Sequence, residues 1–221
     1  MARSRPTTTE AVEDYLKAVY KLSSRGADAT VAGIASALAV SAPSVTNMVK
    51  KLHRMGLAEH ARYGEVRLTT RGGRIALEII RHHRLWELYL NRRLGLPLDR
   101  VHEEAEKLEH VLSDAMEDRL EALLGETALD PHGDPIPAKD GTVAPVREAR
   151  KLSELKPGEG GVVAHVSDRD AKPMRAIIAL GLLPGARLTL LKARPAGALA
   201  VRVGARRRTV SRALADRVRV A

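Results

Sequence analysis

Residues 30–57, TVAGIASALAVSAPSVTNMVKKLHRMGL, constrain this chain more than any other stretch. They are patterned as two short amphipathic helices with a tight break between them. Ile34, Ala35 and Leu38 make the apolar face of the first at helical spacing. SAPS then supplies polar N-cap candidates and places Pro43 in an opening turn, where its missing N–H costs nothing. Val45, Met48, Val49 and Leu52 form the apolar face of the second helix, and Gly56 stops it. Its other face carries Ser44, Thr46, Asn47, Lys50 and Lys51, short polar and basic groups suited to phosphates and base edges. Ahead of this pair, Val12, Tyr15, Leu16, Val19, Tyr20 and Leu22 predict a helix over about 9–23. Behind it, AEHARYGEVRLT alternates around RYGE as a hairpin, with Arg62 and Arg67 on its exposed side. Helix-turn-helix plus basic hairpin makes a winged helix. A small bundle with a merely solvated polar face is the blander alternative, and it leaves the turn chemistry and the hairpin unexplained.

Composition limits what the rest can be. With no Phe, one Trp and four Tyr, the core of this 221-residue chain is built from Leu, Val, Ile and Ala. Cys is absent, so disulfides, thiolate metal sites and thiol nucleophiles are excluded. Any metal site uses N and O ligands, with Met the only sulfur. The longest apolar runs, such as AIIALGLL, fall far short of a membrane span, and MARSRPTTTE lacks the apolar centre of a signal peptide. A soluble, cytoplasmic protein with no membrane partner is expected.

The net charge of +10 is unevenly spread. Residues 1–75 carry 12 Lys and Arg against 6 Asp and Glu, residues 76–142 carry 8 against 15, and residues 143–221 carry 17 against 6. Two basic parts flank an acidic middle that holds His82, His83, His102 and His110. Basic parts favour polyanions, and an acidic centre containing His favours cations. The charges suit a nucleic-acid binder that responds to a cation.

Within that middle, VHEEAEKLEH sets His102, Glu106, Glu109 and His110 at i, i+4, i+7 and i+8. On an α-helix the four fall within roughly 80–100° of arc, bordering an apolar stripe of Val101, Ala105, Leu108, Val111 and Leu112. This helix is expected to run to about Leu124. A preceding helix over about 71–94 carries His83 and Glu87 at i, i+4, able to grip one ion from adjacent turns. Packed as a hairpin, the two helices could hold one or two octahedral-type ions; the alternative is a solvated acidic face with incidental His. HEEAE begins like the zincin motif but has Glu106 where the second His belongs, and EKLEH lacks the first His of the inverted motif. No second Glu-x-x-His helix pair suggests a di-iron enzyme. A carboxylate/His metal-dependent enzyme is the rival from another class, and a metal-independent winged-helix repressor is a further one.

Beyond this, residues 127–150 are rich in Pro and Gly and read as a connecting segment. Short strands near 161–166, 186–193, 198–203 and 207–210, with a helix near 171–180, suggest a small five-strand barrel. ARRR at 205–208 is either a hairpin touching DNA or solvated charge. The expected fold is mainly α. A winged helix-turn-helix DNA-binding domain covers 1–75, a helical dimerisation and metal-binding domain 76–140, a linker 141–150, and an SH3-like domain 151–221.

Taken together, AVSAPSVTNMVKKL, RHHRLWE, VHEEAEKLEHVLSD and DPHGDPIP resemble the DtxR/MntR family of metal-dependent transcriptional repressors over about residues 8–140. LSELKPGEGGVVAHVSDRD and IIALGLLPGARLTLL resemble the small SH3-like, FeoA-type barrel of its longer members. The resemblance implies a cytoplasmic homodimer that binds double-stranded operator DNA in response to a divalent ion, with no small-molecule substrate and no enzymatic activity. By position, Asp14, Glu106, Glu109 and His110 match the family's regulatory metal site. Periodicity alone leaves Asp14 off the main apolar face of its helix, so its role comes from the resemblance. His83, Glu87 and His102 match the ancillary site, to which Asp168 or Asp170 could add a ligand. Ser41, Pro43, Ser44, Thr46 and Asn47, with Lys50 on the same helix, match the DNA-reading helix and its lead-in. Iron-type members carry sulfur ligands where this chain has Asp14 and Glu106, and manganese-type members carry carboxylates. Hard oxygen ligands suit Mn²⁺, with Fe²⁺ the alternative and up to two ions per subunit. Lys17 departs from the manganese pattern, standing where those members have a further Glu.

Overall fold

A computed structural model describes residues 8–24, 26, 28–60, 64–125, 128–145, 148–167, 171–193 and 197–221. It divides into two compact units. The first is Met1–His82 with Glu109–Val111 and Pro137–Thr142, and the second is His83–Leu108, Leu112–Ile136 and Val143–Ala221.

In the first unit, α1 (Glu10–Ser23) buries Val12, Leu16 and Val19 completely. Thr30 opens α2 (Val31–Leu38) by accepting the Gly33 N–H on its hydroxyl at 3.1 Å. Ala39, in the left-handed region at φ 53°, closes that helix. Two residues later Ser41 caps α3 (Ala42–Arg54), with Pro43 in the first turn as its fixed φ favours. The axes of α2 and α3 bend by 109°, within the range of helix-turn-helix pairs. Val45, Val49 and Leu52 of α3 join Ile34 and the α1 residues in one core, each such side chain contributing about 1.5–3 kcal/mol by leaving water.

Strands β1 (Ala58–His60) and β2 (Val66–Leu68) pair antiparallel, Glu59 opposite Arg67. They form the expected wing. Its turn, including Arg62, lies outside the described residues, and the Arg67 side chain is exposed beside Glu65 at 2.9 Å. The 23-residue α4 (Thr70–Arg92) follows. Gly72 is required there, because a Cβ would stand 2.0 Å from the Leu57 carbonyl oxygen.

A single helix over 101–124 is not what forms. Instead α5 (Val101–Leu108) gives way to a 3-10 turn, Glu109–Val111, and α6 (Asp114–Leu124) starts afresh. Leu112 is extended at ψ 116°, and the Ser113 hydroxyl accepts the Met116 N–H at 3.3 Å. A good N-cap here competes with continuing the helix, and it wins.

In the second unit, Leu85, Leu88, Leu124 and Ile136 make a small core. The C-terminal part is a six-stranded antiparallel sheet. Its strands are β3 (Arg150–Lys151), β4 (Gly160–Val166), β5 (Arg187–Ala193), β6 (Leu199–Val203), β7 (Arg206–Val210) and β8 (Val218–Val220), in the order β3-β8-β4-β5-β6-β7. The helices α7 (Ala171–Leu180) and α8 (Arg212–Ala215) complete it, with Val163, Met174, Ile177, Leu190, Val201 and Val218 in its core. The small barrel of five strands is thereby corrected to an open sheet of six. β3 and β7 are its edges and do not pair with each other, although the SH3-like arrangement fits.

Candidate metal centres

The break after α5 decides which ligands meet. Glu109 and His110 lie in the 3-10 turn, and in the first unit they face α1. His110 Nε2 is 3.1 Å from Asp14 Oδ1, and His110 Nδ1 is 2.6 Å from Glu13 Oε2. Glu109 Oε1 lies 3.4 Å from His110 Nε2 and 2.5 Å from Lys17 Nζ. Glu13, Lys17 and Glu109 are buried. His82 Nδ1 is 3.1 Å from the Glu109 carbonyl oxygen, and the Thr8 hydroxyl donates to Glu13 Oε1 at 2.6 Å. Asp14 and Glu13, in that order, with help from the Glu109 charge, push the His110 pKa up to about 10 against the opposing effect of burial. The imidazole is therefore protonated at neutral pH, and a cation binding to it displaces that proton. Asp14, Glu109 and His110 each present one ligand atom within 4.8 Å of the others.

In the second unit, His83 of α4 and His102 of α5 converge on Glu87. His83 Nε2 is 3.0 Å from Glu87 Oε1 and 3.0 Å from His102 Nδ1, and His102 Nδ1 is 3.2 Å from the same carboxylate oxygen. These atoms lie close enough together for one divalent ion to be held by all three in place of the hydrogen bonds. Glu106 stands on α5 one turn from His102, its Oε1 at 3.6 Å from His83 Nδ1 and 3.8 Å from His102 Nε2. So the structure groups Glu106 with His83 and His102, and groups Asp14 with Glu109 and His110.

Sequence reasoning passed over Asp130 and His132, which complete a third, fully buried group with Glu87. His132 Nδ1 is 3.4 Å from Glu87 Oε2, a buried oxygen that accepts no hydrogen bond among the described residues. Burial raises the Glu87 pKa, but the His83 charge and the close imidazoles of His102, His132 and His83 outweigh it and hold the carboxyl well below its usual range. Asp130 goes the other way, pushed well up by burial and then by the charges of Glu87 and Asp134. Its Oδ1 accepts the His132 and Asp134 N–H groups at 2.8 and 2.9 Å, while Arg84 Nε lies 3.6 Å from Oδ2. The available signal was the DPHGDP spacing, an Asp-x-His inside a turn-rich segment. Asp168 and Asp170 lie outside the described residues.

These donors fit a hard divalent ion. They are carboxylate oxygens and imidazole nitrogens at core-edge positions, and Glu87 keeps a buried oxygen that accepts no hydrogen bond among the described residues. Also in the first unit, Ser41, the N-cap of α3, and Pro43, Ser44, Asn47 and Lys50 along it are exposed. Thr46 is half-buried, its hydroxyl turned back to the Ala42 carbonyl at 3.0 Å.

Residues 7–66 match the family model of the iron dependent repressor N-terminal DNA binding domain, and residues 69–138 that of its metal binding and dimerisation domain. Residues 150–221 match the FeoA domain. The iron-dependent repressor IdeR of Mycobacterium leprae is 34% identical over 201 residues, covering 85% of this chain and 86% of its own length. A manganese-dependent transcriptional repressor, solved in complex with manganese, superposes with a TM-score of 0.87 at 35% identity, over 95% of this chain and 99% of its own. IdeR of T. acidophilum superposes at 0.77 with 29% identity, over 100% and 99%.

Proposed function

The chain belongs to the DtxR/IdeR family of metal-dependent transcriptional repressors, whose members are not enzymes, and from that premise we propose that it is a Mn²⁺-activated repressor of metal-homeostasis genes. The observation that carries the reading is the meeting of Asp14 on α1 with Glu109 and His110 from a distant turn, all through hard N and O donors. A bound dication supplies the charge that holds these three side chains together. Asp14 then ties the helix that supports α2 and α3, and fixes the exposed Ser44, Asn47 and Lys50 face for operator DNA. In a homodimer this sets the spacing of two reading helices to two half-sites. Moving such an equilibrium from 1:99 to 99:1 takes about 5.5 kcal/mol of differential metal binding, within reach of one multidentate site. His83, Glu87 and His102 form the ancillary site, extended through Glu87 toward Asp130 and His132.

Manganese is favoured over iron because Asp14 and Glu106 are both carboxylates. Iron is the second reading, favoured by the match to iron-dependent repressor models. Dimerisation draws on exposed apolar residues. In the helical middle, Leu88, Leu90, Leu112 and Leu120 are buried within the chain, while Leu94, Val111, Met116 and Leu123 are exposed.

The test is a mobility shift on the protein's own promoter region with chelator, Mn²⁺ or Fe²⁺. Tight binding with Mn²⁺ and loss in chelator is the expected result, and equal binding in all three overturns the reading. Glu109→Ala is expected to abolish the metal response. Glu106→Ala separates two assignments: losing the response places Glu106 with Asp14, while losing one ion and keeping the response places it with His83.

A further inference from the structure

The longest acid-free stretch of this chain lies in its C-terminal sheet. Between residues 171 and 215 there are ten Lys and Arg and no Asp or Glu. The register shows where that charge goes. In the β5–β6–β7 meander, Thr189 pairs with Arg202 and Arg202 with Arg207, while the next row pairs Leu190 with Val201 and Val201 with Arg208. Leu190 and Val201 are fully buried, so the Thr189–Arg202–Arg207 row points away from the core. Arg187 precedes Thr189 by two residues and shares its face. A bulge between Leu190 and Lys192 brings Lys192 level with Ala200 and Thr209 on that same face.

The outcome is one exposed face holding Arg187, Lys192, Arg202 and Arg207, separated by Thr189 and Thr209. Among the described residues none of these four cations has an ion pair. Arg202 and Arg207 stand directly opposite each other, a like-charge pair that costs stability unless an anion lies across it. Among the described residues, alternation places one large apolar side chain on this face, the half-buried Leu191, too little for a membrane or a protein core. Cations spaced between small hydroxyls on one sheet face are complementary to a phosphate backbone.

We propose that the outward face of β5–β6–β7 is a second contact surface for double-stranded DNA, gripping the backbone without reading sequence. This rests on the DNA-binding reading above, and it adds a surface which that reading does not need. The surface supplies salt-sensitive affinity, while α3 supplies the choice of site.

The experiment compares the full-length protein with the Arg187→Gln/Arg202→Gln/Arg207→Gln variant and with the corresponding triple Lys variant. Each is titrated by fluorescence anisotropy onto a random 30-base-pair duplex in chelator, from about 50 to 200 mM salt. The Gln variant is expected to bind about tenfold more weakly at the lowest salt, with the slope of log K against log salt reduced by roughly two to three. The Lys variant is expected to match wild type, since a phosphate contact needs only the charge. An unchanged slope in the Gln variant overturns the proposal, as does equal weakening by Gln and Lys. The proposed metal switch is read separately, as the Mn²⁺ dependence of operator binding in the same proteins, and its failure leaves the chelator titration interpretable.

Discussion

The ammonium nitrogen of Lys17 lies 2.5 Å from Oε1 of Glu109, the same oxygen that faces His110 Nε2 at 3.4 Å. One of the three proposed regulatory ligands is thus already paired with a cation belonging to the protein. Both side chains are almost completely buried. At an effective dielectric of about 20, two unit charges 4 Å apart interact by about 4 kcal/mol, so an incoming dication and the ammonium compete for this carboxylate. On the proposed function, Lys17 is expected to set a threshold for the metal. Lys17→Met is expected to tighten Mn²⁺ binding at least tenfold by titration calorimetry. The same change removes the ammonium from the buried Glu109 and leaves His110 beside it, so the metal-free protein is expected to lose up to about 3 kcal/mol of stability. Unchanged or weaker Mn²⁺ affinity in this variant would show that the ammonium does not compete.

His110 is expected to make the proposed response depend on pH. Its folded pKa is raised from 6.5 to about 10, chiefly by Asp14 and then Glu13. A raised pKa in a cationic group stabilises the fold fully below pH 6.5, and that contribution disappears as pH rises through about 10. Metal binding must remove the same proton, so Mn²⁺ affinity is expected to rise up to about tenfold per pH unit between pH 7 and 9. Calorimetry in buffers of differing ionisation enthalpy should show about one proton released at this site. In Asp14→Asn, the release near neutral pH should shrink. Affinity that stays flat across this range contradicts the assignment of His110 as a ligand.

Legibility in the sequence followed how strongly local chemistry and periodicity agreed. For α1, α2 and α3 the apolar spacing, the caps at Thr30 and Ser41 and Pro43 all point the same way, and the helices form where expected. In the 101–124 stretch they disagreed. The apolar stripe continues through Leu112, but Ser113 offers a cap, and the cap prevails. That break sends His102 and Glu106 one way and Glu109 and His110 another, although on an unbroken helix all four would share an arc. Strands β3 and β8 are too short, at two and three residues, to show alternation. Asp130 and His132 have no periodic context at all. Only tertiary structure brings them to Glu87.

Gly133 holds that last group in place. Its φ is +94°, and a Cβ would sit 2.0 Å from the Ala164 carbonyl oxygen of β4. Beside it, the His132 carbonyl accepts the Val166 N–H at 2.9 Å, so the segment lies flush against the strand. Gly133→Ala is expected to cost roughly 2–4 kcal/mol, from the left-handed backbone and the overlap together. The readout is the urea midpoint of the metal-free protein. Mn²⁺ should also stabilise this variant less than wild type, since His132 shifts away from Glu87. A midpoint equal to wild type would mean that the close approach to β4 relaxes freely.

Glu87 is the pivot of the second unit, because its two oxygens serve different partners. Oε1 faces His83 and His102 at 3.0 and 3.2 Å, and Oε2 faces His132 at 3.4 Å. Replacing the carboxylate by an amide of the same shape keeps the packing around Leu85 and Leu88 but removes the charge that three imidazoles share. Glu87→Gln is expected to lower bound Mn²⁺ from about two ions per subunit to about one by elemental analysis after desalting. The remaining ion should be the one held by Asp14, Glu109 and His110, so Glu87→Gln/Glu109→Gln together should retain none. The single variant should still respond to metal on operator DNA, at several-fold higher Mn²⁺ concentration. If Glu87→Gln retains the full complement of ions, its carboxylate is not a ligand, and the His83–Glu87–His102 triangle is a hydrogen-bonded strut between α4 and α5.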